Sequence, residues 1–170
     1  FGLTEPDFGS HPTGMITRAD ALPGGGYRIN GTKRWITNGN LAHVAIVWAR
    51  VQGTGDAARD GKVHGFLVPT SSKGFTAHKL EEKFSLRASV TSELILEDVE
   101  VGPDALLPGV VGMRGPLSCL SQARYGICWG AIGAAMSCYE TSLSYAKDRV
   151  QFSKPIAGYQ LVQAKLVHML

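Results

Sequence analysis

Apolar residues follow two different patterns along this chain. From residue 14 to about 107, short runs rich in β-branched and aromatic residues alternate with clusters of Gly, Pro, Asn and Asp. Such runs between turn residues predict short strands, and a succession of them is typical of an antiparallel barrel or sandwich. The predicted strands lie in residues 14–22, 27–31, 34–37, 42–51, 63–69, 74–80 and 92–101.

After Pro116 the pattern changes to helical spacing. Residues 117–152 contain no proline and support a helical pattern, so we predict one long helix there. A second helix is predicted to start near Pro155 and to run to residue 170. The longest apolar run, residues 126–138, is shorter than the roughly 20 residues of a membrane-spanning helix. Together, the strand and helix patterns predict an α+β protein whose β-rich part precedes its helices.

Composition and charge exclude several classes of protein. The 170 residues are 44% apolar and 18% charged, which is typical of a folded globular protein and not of a disordered one. The net charge is only +3 and the Lys and Arg residues are scattered, so no nucleic-acid-binding stripe is predicted. Cys119, Cys128 and Cys138 lie in an apolar region without CxxC spacing. They are predicted to be buried free thiols in a reducing compartment, and no metal site is predicted.

The segment Trp35-Ile36-Thr37 combines a large aromatic side chain with a hydroxyl group just before the turn pair Asn38-Gly39. The three residues favour a strand, and Asn-Gly is typical of the turn that follows one. Taken alone, the pattern predicts a core Trp35 and a surface Thr37 on alternate faces of the strand. The alternative is that both residues belong to a binding site.

Three other segments carry candidate chemistry. In the amino-terminal segment Thr4 and Glu5 precede Pro6, and Gly9 and Ser10 lie between Pro6 and Pro12, so backbone N–H groups there cannot all pair in a sheet. Such donors suit a heteroaromatic ring or a phosphate, although a solvated turn is the simpler interpretation. Arg124 interrupts an apolar helix and would need a partner if it were buried.

The third segment joins the end of the long helix to the next helix. It contains Asp148, Arg149, Gln151 and Phe152, with Gln160 eight residues after Phe152. An exposed helix terminus would explain these polar residues without any site.

Taken in order, these segments resemble the acyl-CoA dehydrogenase family. The markers are GLTEP with Gly9-Ser10, then K-x-WIT-N at 33–38, then DR-x-QF-x-x-P-x-x-x-x-Q at 148–160. The stretches KFSLRAS at 83–89 and ARYGICWG at 123–130 are more similar to glutaryl-CoA dehydrogenase than to the straight-chain members. The resemblance covers essentially the whole chain.

The resemblance implies a domain organisation. Residues 1–107 would be the middle β-barrel domain, and residues 108–170 would begin the carboxy-terminal four-helix bundle with its first long helix and part of the second. The amino-terminal helical domain of the family would lie outside this chain. The family's base glutamate is expected beyond residue 170, so no catalytic residue is assigned here and Glu140 is expected on a solvated helix face.

The resemblance also implies a site for FAD and a site for acyl-CoA. Trp35 would pack on the flavin ring system and Thr37 would donate a hydrogen bond near flavin N5. The implied cofactor contacts are Phe1, Leu3, Thr4, Gly9, Ser10, Trp35, Ile36, Thr37, Arg149, Phe152 and Gln160, the last three reaching the FAD of a neighbouring subunit. The implied acyl-CoA contacts are Ser10, Leu117, Leu120, Ser121 and Arg124. The chain departs from the family pattern at Phe8, where a small residue is usual, and at His11, where Asp is usual.

The implied activity is α,β-dehydrogenation of an acyl-CoA thioester, of the glutaryl-CoA type with decarboxylation to crotonyl-CoA. Electrons would pass to an electron-transferring flavoprotein, and the enzyme would be a homotetramer built from dimers. It would lie in the cytoplasm of a bacterium or in the mitochondrial matrix of a eukaryote, without nucleic-acid or membrane partners. The 170 residues alone are expected to be inactive. Two alternatives remain, a short-chain acyl-CoA oxidase of the same fold and a non-catalytic flavin- or CoA-binding module.

Overall fold

The computed structural model describes residues 1–170, which form eight strands and two α-helices. The chain divides into two compact units, Phe1–Ser118 and Cys119–Leu170. The α+β class predicted from the sequence is confirmed. The strands are β1 Arg18–Ala21, β2 Tyr27–Thr37, β3 Val44–Gln52, β4 Val63–Pro69, β5 Phe75–Lys79, β6 Thr91–Val101, β7 Val150–Gln151 and β8 Lys154–Pro155. The helices are α1 Arg114–Asp148 and α2 Gln160–His168, with short 3-10 turns at Pro12–Gly14, Pro103–Ala105 and Ile156–Gly158.

Strands β1 to β6 form one sheet in the order β4-β3-β1-β2-β6-β5. All neighbouring pairs are antiparallel except β1 with β3, which are parallel. The sheet is therefore mixed, and β4 and β5 are its edges, whereas the sequence predicted an antiparallel barrel. Alternation along a strand determines which face is buried, but it does not determine which strand becomes the neighbour.

One face of this sheet carries the core of the first unit. Along β3, the alternate residues Ala45, Val47, Ala49 and Val51 are buried, as a half-buried strand requires. The core also contains the Tyr27 ring, which meets the Phe66 ring edge-on with 5.0 Å between the centroids. The remaining buried members include Ala19, Ile29, Ile36, Val68, Phe75, Leu94, Leu96, Val99 and Val101.

The second unit differs from its prediction at the ends of the helices. The long helix ends at Asp148 and the β7–β8 hairpin follows it, with Phe152 and Ser153 in the turn of the hairpin at φ 51° and 63°. Helix α2 begins at Gln160 because Pro155 is taken up in β8. No helix is long and apolar enough to span a membrane.

The three cysteines were predicted to be buried, and this was wrong for the chain described here. Cys119, Cys128 and Cys138 are all exposed free thiols on α1. Residues 121–138 of this helix are exposed on every side, since no other element of the second unit covers them. An apolar sequence predicts that a helix can be buried, but only packing partners bury it.

The amino-terminal residues complete the sheet beside the short strand β1. The amide of Gly2 donates to the Ile46 carbonyl at 2.6 Å, and the Trp48 amide donates to the Gly2 carbonyl at 3.0 Å. On the other side, the Arg34 amide donates to the Thr4 carbonyl at 2.8 Å. Residues 2–4 therefore lie between β3 and β2, in the gap that the four residues of β1 leave open. This places the amino-terminal loop beside the end of β2.

A buried ion pair holds this loop in place. The Lys33 ammonium lies 2.9 Å from Glu5 Oε1, and their side chains are 0% and 2% exposed. The ammonium also donates to the Leu3 carbonyl at 3.1 Å, while the Glu5 carboxylate accepts the amides of Ile16 at 2.7 Å and Thr17 at 2.9 Å. A buried ion pair is tolerated only when its remaining donors and acceptors are satisfied in this way. The pair thus joins the loop, β2 and the start of β1.

Burial and pairing act in opposite directions on these two groups. Burial by itself raises the pKa of Glu5, but contacts with Thr17, the Ile16 amide and Lys33 outweigh it and hold the pKa below its ordinary value. Burial lowers the pKa of Lys33 to about 8, and the Glu5 carboxylate offsets only part of this effect. At neutral pH the two groups are therefore charged partners.

Replacing a core aromatic should test the assigned face of β4. Phe66→Ala should lower the free energy of unfolding of the first unit by about 3–5 kcal/mol, because the ring is fully buried. Leu67→Ala, one residue further along the same strand on the exposed face, should cost far less. Urea unfolding of both variants measures the difference, and equal losses would contradict the assignment of the faces.

Removing one partner of the ion pair should be worse than removing both. Glu5→Gln should lower the free energy of unfolding by about 3–5 kcal/mol, because it leaves the Lys33 ammonium buried without a countercharge. The double variant Glu5→Gln/Lys33→Met should recover most of that loss. A double variant no more stable than Glu5→Gln would show that the pair is not the buried charge interaction described here.

The same pair should make stability depend on pH in a defined window. Lys33 has a pKa of about 8 in the folded protein against an ordinary value of 10.5, so between these values the unfolded state binds more protons. The free energy of unfolding should therefore rise with pH from about 8 to 10.5 relative to Glu5→Gln/Lys33→Met. The pKa of Glu5 is lower in the folded than in the unfolded protein, so its contribution to the free energy of unfolding is present above the unfolded pKa. This contribution should be lost as the pH falls through the folded pKa of Glu5. Urea titrations across pH test both limbs, and parallel curves for the two proteins would refute this account.

Candidate functional site

The end of β2 exposes a tryptophan in an unusual backbone conformation. Pairing with β6 shifts register between Lys33 and Ile36, and Trp35 within this bulge has φ 64°. Its side chain is 57% exposed, whereas Ile36 is buried and Thr37 is exposed. Neighbouring residues on a strand point to opposite faces, and Ile36 takes the buried face. Trp35 and Thr37 therefore share the exposed face, and the prediction of a core Trp35 was wrong. A non-glycine residue held at positive φ in a bulge is a feature that proteins keep mainly at functional sites.

The strand end that carries Trp35 and Thr37 is held firmly from one side. Thr37 pairs with Thr91 and Ile36 pairs with Ser92 on β6. Beyond the strand, the Asn38 amide donates to the Val90 carbonyl at 2.9 Å. Gly39 has no room for a side chain, since an added Cβ would lie 2.7 Å from a Leu94 methyl carbon. The Asn-Gly turn predicted from the sequence is thus packed against β6.

A cavity of about 360 Å³ lies beside Trp35. Trp35 and Arg34 form one side of it, and the loop between β5 and β6 forms the other through residues 80–85. The Arg34 guanidinium carbon lies 5.4 Å from the centroid of the Trp35 ring, and its Nη1 donates to Glu93 Oε1 at 2.7 Å. An aromatic face with a cation nearby and a hydroxyl at Thr37 suits a planar, polar heteroaromatic ligand.

The amino-terminal loop lies next to this strand end through its backbone. Leu3 and Ile36 are buried, so their side chains do not face a ligand. Thr4 is half-buried where its carbonyl accepts the Arg34 amide, while Gly9 and Ser10 are exposed further along the loop. Phe1 packs edge-on against the Trp48 ring, with 5.8 Å between the centroids.

Phe8 and His11 depart from the family pattern, and the structure shows what they contact. Their rings meet edge-on at 6.3 Å, and a Cβ at Gly14 would collide with the Phe8 ring. Both side chains are therefore folded back onto their own loop.

The remaining predicted residues lie in two places, along α1 and around the β7–β8 hairpin. Leu117, Leu120, Ser121 and Arg124 are spaced by three or four residues along α1 and so share one face of that helix. Arg124 is exposed and does not need the buried partner that its apolar surroundings suggested. Glu140 is also exposed on α1.

The β7–β8 hairpin carries the other group. Phe152 is 90% exposed at its tip, and the hairpin is closed by the Ile156 amide, which donates to the Arg149 carbonyl at 2.8 Å. The Tyr159 hydroxyl donates to the Gln151 carbonyl at 2.9 Å, which ties the hairpin to the start of α2 at Gln160. Arg149, Phe152 and Gln160 thus lie on neighbouring parts of one small, braced structure.

The structure therefore brings Thr4, Trp35 and Thr37 together in the first unit, and Arg149, Phe152 and Gln160 in the second. Two features escaped the sequence analysis, namely the burial of Lys33 with Glu5 and the loop that faces Trp35. Glu5 lies in the GLTEP motif and Lys33 in the K-x-WIT-N motif. Nothing in the local pattern indicates that these two charged residues, 28 positions apart, meet in the core. No group of three or more His, Cys, Asp or Glu side chains is placed to hold a metal ion.

Comparison with known proteins finds two family models that match the chain. Residues 1–99 match the family model described as acyl-CoA dehydrogenase, middle domain, and residues 111–170 match acyl-CoA dehydrogenase, C-terminal domain. Among curated relatives, a probable acyl-CoA dehydrogenase of Bacillus subtilis, YngJ, is 42% identical over 99% of this chain and 44% of the relative. The human mitochondrial short-chain specific acyl-CoA dehydrogenase is 36% identical over 99% of this chain and 40% of the relative.

Solved structures give the same result. A glutaryl-CoA dehydrogenase from Mycobacterium smegmatis in complex with FADH2 is 52% identical, with a TM-score of 0.89, over 99% of this chain and 41% of that one. The butyryl-CoA dehydrogenase of Megasphaera elsdenii is 33% identical with a TM-score of 0.84. The chain spans less than half the length of these proteins. With both family models matched in order along its length, the chain belongs to the acyl-CoA dehydrogenase family.

Proposed function

We propose that the protein containing this chain is an FAD-dependent acyl-CoA dehydrogenase of the glutaryl-CoA type. The observation that carries the proposal is the exposed Trp35, held at positive φ beside a cavity and two residues from the exposed Thr37. The 52% identity to a glutaryl-CoA dehydrogenase solved with FADH2 supports this cofactor and this substrate type over a short-chain one. A Bacillus anthracis acyl-CoA dehydrogenase solved with FAD, 36% identical, supports the cofactor independently.

The residues of the first unit fit FAD. Trp35 supplies an exposed aromatic face for a flat ring, and the Thr37 hydroxyl supplies a hydrogen-bond donor on the same strand end. FAD would supply the acceptor for the electron pair that leaves the acyl chain. A donor already in place next to developing negative charge stabilises it without reorganisation. We assign the amino-terminal loop, with Thr4, Gly9 and Ser10, to polar parts of the same cofactor, where Leu3 and Phe1 contribute backbone and packing.

We assign Arg149, Phe152 and Gln160 to the FAD of a neighbouring subunit. Their exposure on a braced hairpin supports a contact with another molecule, since an exposed aromatic at a turn with positive φ contributes nothing to the core of its own unit. An exposed arginine can bind a phosphate with two parallel hydrogen bonds. This assignment makes the enzyme a homo-oligomer, which we propose to be a tetramer built from dimers.

The acyl-CoA would lie against the face of α1 that carries Leu117, Leu120, Ser121 and Arg124. We also assign Ser10, in the amino-terminal loop, to contacts with acyl-CoA. Apolar side chains beside one exposed arginine suit an acyl-CoA, which has both apolar and anionic parts. The base glutamate that removes the α-proton would lie outside residues 1–170, and decarboxylation would yield crotonyl-CoA. Electrons would then pass to an electron-transferring flavoprotein.

We also propose the domain boundary between residues 107 and 108. The two family matches, to 1–99 and 111–170, fall on either side of it. Relatives include bacterial and mitochondrial proteins, so the compartment would be the bacterial cytoplasm or the mitochondrial matrix.

A matched pair of threonine variants tests the proposal in the full-length protein. Anaerobic addition of glutaryl-CoA should bleach the visible flavin band, and Thr37→Val should slow this bleaching by about 10- to 100-fold. That corresponds to the loss of a hydrogen bond to a charged group, roughly 1.5–3 kcal/mol. Thr76→Val, an exposed threonine on β5, should leave the rate unchanged.

The outcomes separate the alternatives. Bleaching by butyryl-CoA but not by glutaryl-CoA would leave the dehydrogenase in place and refute the glutaryl type. Rapid formation of hydrogen peroxide on exposure to air would indicate an acyl-CoA oxidase. A flavin band that no acyl-CoA bleaches would favour a non-catalytic binding module, and a colourless protein that takes up no FAD would refute the proposed cofactor.

A further inference from the structure

The loop between β5 and β6 is strained and does not bury its large apolar side chains. Glu82 and Leu86 both have positive φ, at 57° and 48°, although neither is glycine. Phe84 is fully exposed and Leu86 is largely exposed. Ordering such a loop costs conformational entropy, and here no buried apolar surface compensates for it. Its conformation must therefore be held by polar contacts.

Lys83 supplies most of those contacts. Its ammonium donates to the Leu86 carbonyl at 2.9 Å, to the Ser89 carbonyl, and to Thr91 Oγ1 at 2.8 Å. An ammonium group has three N–H donors, and all three are directed at this loop and at the strand that follows it. The Ser89 amide donates to the Leu86 carbonyl as well, at 3.0 Å. A lysine used in this way closes residues 83–91 into a compact turn.

The turn is joined to the strand end that carries the candidate site. Thr91, the first residue of β6, is buried and pairs directly with Thr37. The Leu80 amide donates to the Thr91 carbonyl at 2.8 Å, so both ends of the loop are fixed at this one position. Residues 80–85 then form the side of the cavity that faces Trp35.

We propose that Lys83 is a positioning residue for the cofactor ring, since it holds the loop that bears Phe84 as the second wall of the Trp35 cavity. The inference rests on the proposed flavin site. Lys83 itself need not touch the cofactor. Its hydrogen bonds keep Glu82 and Leu86 at positive φ, the loop conformation that holds the cavity open. Backbone strain of this kind persists only where surrounding contacts hold it in place.

The test compares three variants of the full-length protein, Lys83→Met, Lys83→Arg and the control Lys73→Met, which changes an exposed lysine in the loop before β5. Hydrogen exchange of the amides of residues 84–90, measured without added cofactor, reports the loop directly. Lys83→Met should accelerate this exchange and raise the Kd for FAD, each by about tenfold, with a changed flavin absorption spectrum. Lys83→Arg should recover part of both effects, and Lys73→Met should resemble the wild type.

The two proposals fail in different ways. If the wild-type protein binds no FAD, the proposed function fails and the flavin role of Lys83 fails with it. If the wild type binds FAD and Lys83→Met exchanges fast but binds FAD with the same Kd and spectrum, only the positioning role is overturned. Unchanged exchange in Lys83→Met would overturn the inference at its first step. A lowered unfolding temperature shared by Lys83→Met and Lys83→Arg, with no difference in FAD binding, would assign Lys83 to stability alone.

Discussion

The buried contact between Glu5 and Lys33 determines how the amino-terminal residues relate to the rest of the sheet. The short strand β1 leaves a gap between β2 and β3, and residues 2–4 fill it. The ion pair adds little net stability compared with an apolar contact of the same size, because both charges give up their hydration. Its consequence is placement, since only one alignment of the loop and the strand lets the ammonium and the carboxylate contact each other, the Leu3 carbonyl and the Ile16 and Thr17 amides. The candidate site depends on that alignment.

Backbone strain is concentrated where function is proposed. Trp35, Leu86 and Phe152 have positive φ, and each is an exposed apolar residue. None of the three side chains contributes to the core. Each backbone conformation is supported by contacts with a neighbouring part of the fold. A bulge paired with β6 supports Trp35, a three-way hydrogen-bonded lysine supports Leu86, and a hairpin braced by Tyr159 supports Phe152. The strain is thus offset by the surrounding fold.

Helix α1, unlike the sheet, leaves most of its apolar residues exposed. Tyr125, Ile127, Trp129, Ile132 and Met136 are all exposed along it. Exposed apolar surface of this extent marks a region that contacts other protein or a ligand. It accords with a chain that spans 40% to 44% of the length of its curated relatives. Gly126, Gly130, Gly133 and Ala134 lie on neighbouring turns of this helix, a spacing that favours close helix packing, but nothing in the second unit packs against them.

The sequence by itself determined most strands of the first unit, the long helix and the family, because these depend on local periodicity and on motifs read in order. It missed β7 and β8, and it divided β2 into two strands. It placed Ala45, Val47 and Phe66 in strands and grouped Trp35 with Thr37. Only the tertiary structure decided that β1 runs parallel to β3, that the sheet is open, that Trp35 is exposed and that Lys33 is buried. Each of these depends on contacts between residues far apart in the chain. A one-residue bulge exposes Trp35, and a countercharge 28 positions away allows Lys33 to be buried. A helix without packing partners leaves its apolar residues exposed, and none of these effects can be predicted from the local pattern.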